Sequence, residues 1–130
     1  MEENYRRMIE LFDFLTENDF DVYFIGQKKG KCTKKFIVIR DSRIIPITSN
    51  NTATQIIDII GYDHEIRYTE IEEYKKDIKE LMKEYNARFT GEETPVLIED
   101  RIKAYSFILT YQKQKLIYGV RSWQQFQWTS

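Results

Sequence analysis

At 130 residues the chain has the size of one ordinary domain, enough to bury roughly two-thirds of its unfolded surface without disulfide staples. A hydrophobic content of 42% and an aromatic content of 15% exclude a disordered chain, which has too little apolar surface to offset its ordering entropy. The 20 basic and 21 acidic side chains leave a net charge of -1, so no global field draws the chain to nucleic acid or to an anionic membrane, and any electrostatic partner is met locally.

Cys32 is the only cysteine and cannot form an internal disulfide. The opening Met1-Glu2-Glu3-Asn4-Tyr5-Arg6-Arg7 lacks the basic-then-apolar order of a signal peptide, and a reducing cytoplasm is the expected compartment. No apolar run approaches the ~20 residues that cross a bilayer, the longest being broken by Asp58 and Gly61. No membrane partner is expected.

In residues 4–17 the apolar Tyr5, Met8, Ile9, Phe12 and Leu15 recur at three- and four-residue spacing, which predicts a helix with one buried stripe. Asn18-Asp19 breaks the pattern, and residues 21–26, rich in β-branched and aromatic types and ending at Gly26, predict a short strand. Lys28, Lys29, Lys31, Lys34 and Lys35 then surround Gly30, a composition of solvated turns. Phe36-Ile37-Val38-Ile39-Arg40 predicts a second strand, so the lysines are expected at the tip of a hairpin.

Ile44-Ile45-Pro46-Ile47 reads as a strand that proline confines to an edge or a bend. Residues 48–52 form a polar loop, and residues 54–62, with four isoleucines, predict a strand covered on both faces. Thr69 and Glu72 have the spacing of a capping box, and Ile71, Tyr74, Ile78, Leu81, Met82 and Tyr85 supply the stripe of a second helix that ends near Tyr85 or Asn86. Thr90-Gly91-Glu92-Glu93-Thr94-Pro95 reads as a loop and Val96-Leu97-Ile98 as a short strand. In a longer last strand Tyr105, Phe107, Leu109 and Tyr111 alternate with Ala104, Ser106, Ile108 and Thr110.

The predicted fold is therefore α+β, a small antiparallel or mixed β-sheet packed against two helices in the order helix, strands, helix, strands. Residues 1–118 make one such domain. Residues 119–130 form an aromatic tail in which Trp123, Phe126 and Trp128 sit among glutamines without a clear period; these three are candidate contacts to a subunit or partner.

Chemistry is sparse. His64 is the single histidine, so any triad that needs an imidazole base has no other choice; in Tyr62-Asp63-His64-Glu65 it reads as a turn residue. One cysteine and one histidine cannot supply the four ligands of structural zinc. Gly26-Gln27-Lys28-Lys29-Gly30-Lys31-Cys32-Thr33 echoes a phosphate loop, yet its glycines are too close together and a strand rather than a helix follows. Glu92, Glu93, Glu99 and Asp100 read as solvated charges rather than paired catalytic carboxylates. No catalytic, cofactor-binding or metal-binding residue is assigned. The candidate anion contact is the lysine tip, Lys28, Lys29, Lys31, Lys34 and Lys35, because phosphate attraction needs only clustered lysines.

The ordered set Phe36-Ile37-Val38-Ile39-Arg40, Gln55-Ile56-Ile57-Asp58-Ile59-Ile60-Gly61-Tyr62, Tyr68-Thr69-Glu70-Ile71-Glu72-Glu73, Thr90-Gly91-Glu92-Glu93-Thr94-Pro95, Lys103-Ala104-Tyr105-Ser106 and Tyr111-Gln112-Lys113 resembles the tail terminator, or minor capsid, proteins of long-tailed phages and prophages of Gram-positive bacteria. The likeness runs over residues 4–115; the lysine tip and the Trp-rich tail depart from it. It implies a structural protein without enzyme activity or cofactor, assembled in the host cytoplasm and resident in the virion at the tail-head junction. It further implies a homo-oligomeric, typically hexameric, ring that caps the tail tube, touches the major tail tube protein and the head completion protein, and meets DNA in passing. The alternative from the residues themselves is a small nucleic-acid-binding or regulatory module that uses the lysine tip.

Overall fold

Helix α1 (Glu2–Glu17) follows the apolar spacing, and its buried centre is Met8, Leu11 and Leu15, with Phe12 and Phe14 packed at the sides. Leu11 takes the place that the spacing gave to Ile9, which is half-buried. The helix stops through its backbone: Asp19 adopts a left-handed φ of 72°, the Asp19 amide donates to the Thr16 carbonyl and the Phe20 amide to the Leu15 carbonyl at 3.1 Å each. This pair of bonds satisfies carbonyls that the last turn leaves open, and it turns Phe20 back onto the core.

The computed structural model describes residues 2–27, 32, 34–47, 52–64 and 68–116. After α1 come β1 (Val22–Phe24), β2 (Phe36–Ile47), β3 (Thr52–His64), α2 (Tyr68–Met82), β4 (Arg88–Glu93), β5 (Leu97–Glu99) and β6 (Ala104–Leu116). The protein is α+β: six strands form one mixed sheet in the order β1-β2-β3-β6-β4, with β5 also paired to β6.

β1 runs parallel to β2, with Val22 opposite Ile37 and Phe24 opposite Ile39. The expected hairpin is therefore replaced by a crossover, since parallel neighbours cannot be joined by a tight turn. Cys32 anchors that crossover: its amide donates to the Ile102 carbonyl at 2.7 Å and its side chain is buried with Phe36, Val38, Ile60 and Ala104. Residues 44–47 are not a separate strand but the continuation of β2 past a bulge between Asp41 and Arg43. Pro46 is accommodated because β1 reaches only as far as Ile39, so beyond that point β2 is an edge.

The spine of the sheet is the antiparallel pair β3 and β6, in register from Thr52 opposite Leu116 to His64 opposite Ala104. Alternation sends Ile57, Ile59, Phe107, Leu109 and Tyr111 to the helices and Ile60 and Ala104 to the opposite face. The isoleucines of β3 are thus buried on both sides, as expected. Each full burial of such a side chain contributes about 1.5–3 kcal/mol.

α2 begins at Tyr68, one residue ahead of Thr69, so Thr69 lies inside the first turn and not at the expected cap position. Ile71, Tyr74, Ile78 and Met82 are buried, whereas Leu81 and Tyr85 pack only partly. Residues 83–85 close with bonds to carbonyls three residues back, a tightened last turn. The expected loop at residues 90–95 is instead largely β4, whose irregular register between Phe89 and Glu93 accommodates Gly91 at a φ of 93°. Thr94 prolongs the pairing, its amide donating to the Ile108 carbonyl and its hydroxyl oxygen accepting from the Ile108 amide.

Candidate functional site

Two of the five candidate lysines, Lys34 and Lys35, fall among the described residues, while Lys28, Lys29 and Lys31 lie outside them. Lys34 pairs with Asp21 at 3.5 Å, and the Lys35 ammonium stands 5.0 Å from the centre of the Tyr74 ring. Both line a hollow of about 430 Å³ together with Asp19, Phe20, Asp21 and Asp77. Three carboxylates and two ammonium groups share it, so this hollow is mixed in charge rather than uniformly positive. The candidate contacts Trp123, Phe126 and Trp128 also lie outside the described residues.

The acidic side chains Glu93 and Glu99 take separate partners. Glu93 faces α2, where Lys75 and Lys79 donate to it at 3.1 and 2.8 Å; hydrogen bonds from Lys79 and Lys75 hold its carboxyl below the usual carboxylate range. Lys75 also donates to the Thr94 carbonyl at 3.2 Å and lies over the Phe107 ring, so the cluster ties α2 to the β4 margin of the sheet. Glu99 points to the other face and accepts from Ser106 at 3.3 Å. His64, half-buried at the end of β3, donates its amide to the Asp63 carboxylate at 2.7 Å. Among the described residues no three His, Cys, Asp or Glu side chains converge as a metal would require, and no helix is long and apolar enough to cross a membrane.

A transverse polar row crosses the face away from the helices. Arg40, Asp58 and Thr110 stand directly opposite one another on β2, β3 and β6. Asp58 accepts from Arg40 Nη2 at 2.6 Å and from the Thr110 hydroxyl at 2.9 Å. This nearly buried carboxylate is fully engaged, a structural tie between strands rather than a reactive group.

The uncovered features lie at the margins of the sheet. Among the described residues the large apolar side chains left exposed are Ile25, Ile44, Ile45, Leu97 and Ile98. Ile25 follows edge strand β1, and Ile44 and Ile45 sit on β2 past the end of β1. Leu97 and Ile98 belong to β5, which among the described strands pairs with β6 alone. The two groups thus occupy opposite margins. The sequence carried a partial signal for the first, an apolar run interrupted by Pro46, but a strand pattern does not say whether its neighbour is present.

Comparison with known proteins adds no relative: no protein-family model matches the chain, and no curated protein matches it.

Proposed function

We propose that this protein is a phage or prophage assembly protein of the tail terminator type, which forms a ring on the end of the tail tube and joins it to the head. The observation that carries the reading is that, among the described residues, the exposed large apolar side chains lie at the two opposite margins of the sheet. Scattered apolar residues need no explanation, but a concentrated set marks contact surface. Because the two margins are built from different strands, a contact between them is heterologous, and a heterologous contact gives a ring where its rotation closes and a filament where it does not. The resemblance in residues 4–115 supplies the identity of the assembly. Trp123, Phe126 and Trp128, which lie outside the described residues, are candidate contacts by composition alone, given the weight of aromatics in interface energies.

The test is to add the purified protein to tail tube subunits that are polymerising. Rings by electron microscopy and tubes that stop lengthening are the expected result. A protein that stays monomeric and leaves tube growth unchanged removes the reading, while a gel shift of DNA at low salt that is abolished by glutamine at Lys28, Lys29 and Lys31 favours the nucleic-acid alternative.

A further inference from the structure

We infer that neighbouring copies in the ring join edge to edge, with β5 of one copy added antiparallel to the free outer rim of β2 in the next; this rests on the ring reading above. Among the described residues neither rim has a strand beside it on its outer side. β1 pairs with β2 only from Ile37 to Ile39, so no described strand lies outside residues 43–45, and β5 has β6 on one side and no described strand on the other. Such rims are templates for strand addition.

The side chains match position by position. Past the bulge Arg43 pairs with Ile56, Ile44 with Gln55 and Ile45 with Thr54. Paired residues share a face, so Arg43 and Ile45 lie on the face away from the helices and Ile44 on the helix face. In β5 Leu97 pairs with Ser106, Ile98 with Tyr105 and Glu99 with Ala104, which puts Leu97 and Glu99 on the face away from the helices and Ile98 on the helix face. Set antiparallel, the two trios meet as Arg43 with Glu99, Ile44 with Ile98 and Ile45 with Leu97. Each pair falls on a common face, with one charge pair and two apolar pairs, and all six side chains are exposed in the single chain. Parallel pairing would instead set Arg43 against Leu97 and Ile45 against Glu99.

Strand direction agrees. β2, β3, β6 and β5 alternate in direction because each neighbouring pair is antiparallel, so β5 runs opposite to β2. Rotation about an axis along the strands preserves that relation and brings β5 of one copy beside β2 of the next, antiparallel and with the helices on one common side. The bulge at residue 42 is what makes this possible. Without it Arg43 and Ile45 would face the helices and the faces would not match.

The experiment places a cysteine pair in the full chain as Ile45→Cys with Leu97→Cys, since directly opposite antiparallel positions fall within disulfide reach. Oxidation should give a covalent ladder that ends at the ring, with Leu97→Cys alone unlinked and the off-face pair Ile44→Cys with Leu97→Cys unlinked. Arg43→Glu should raise the concentration needed for assembly on the order of tenfold, and Glu99→Arg in the same chain should restore it. A wild-type ring in which Ile45→Cys with Leu97→Cys stays unlinked, or dimers from Leu97→Cys alone, overturns the pairing and leaves the ring reading intact. A wild-type chain that forms no ring, free or on tubes, overturns both.

Discussion

Phe107 packs across the strand against Gly61, its register partner, so closely that a Cβ on residue 61 would stand 2.2 Å from the Phe107 Cζ. The glycine is there for close approach. It leaves room for the ring, which also meets Tyr74 edge-on at 6.4 Å and the Lys75 ammonium at 5.5 Å. Gly61→Ala should therefore destabilise the fold by about 3 kcal/mol, the upper part of the range for overpacking, and Phe107→Ala by about 4 kcal/mol through the cavity it leaves. Urea denaturation checks both. Phe107→Leu introduced into Gly61→Ala should recover part of the loss, and strictly additive costs would contradict the contact.

Lys75 and Lys79 touch the same carboxylate but differ in setting. The Lys75 side chain is 11% exposed and also serves the Thr94 carbonyl, whereas that of Lys79 is 37% exposed. Lys75→Ala should cost about 2 kcal/mol, as for a hydrogen bond to a charged group, and Lys79→Ala less than about 1 kcal/mol, as for a surface pair.

The pH dependence of this cluster has a definite sign. The carboxyl of Glu93 is held low in the folded state, so its stabilisation is present above the ordinary carboxylate value and is lost as pH falls through the folded one. The stability gap between wild type and Glu93→Gln should thus be open at neutral pH and close in acid. A gap that widens on acidification would contradict the assignment.

Burial, with the Glu93 carboxylate second, pushes the Tyr111 phenol up to about 12, and burial raises Tyr74 as well. A raised acid is stabilising below its unfolded value near 10 and loses that contribution as pH climbs toward the folded value. The protein should lose stability between pH 10 and about 12, with tyrosinate absorbance rising together with unfolding. Tyr111→Phe should shift the alkaline midpoint upward, and an unchanged midpoint would count against a buried phenol.

The long elements were legible in the sequence because periodicity accumulates over many residues: α1, α2, β3 and β6 all fall where their apolar spacing puts them. Short ones were not. A three-residue strand such as β1 carries no signal of direction, and the Cys32 to Ile102 hydrogen bond in the segment that follows it joins positions far apart in the chain. The residue that fuses two expected strands into β2 is Ser42, which no apolar pattern marks. Thr90-Gly91-Glu92-Glu93 has the composition of a loop yet forms β4, since an exposed margin with irregular register tolerates glycine and acids. The exposure of Ile44 and Leu97 depends on which strand ends first, and that is a property of the assembled sheet.

Truncation after Tyr118 removes Trp123, Phe126 and Trp128 but keeps all of β6, which ends at Leu116. Thermal unfolding of the truncated chain should therefore stay close to wild type while light scattering shows weakened ring formation. An unchanged oligomer would remove the tail from the interface without touching the edge contact.

Electron microscopy of particles from a phage that lacks this protein tests the central claim most directly. A tube whose subunits stack head to tail keeps an open end until a different surface closes it, so the account predicts filled heads lying apart from tails that run beyond their normal length. Joined virions with tails of normal length would contradict it.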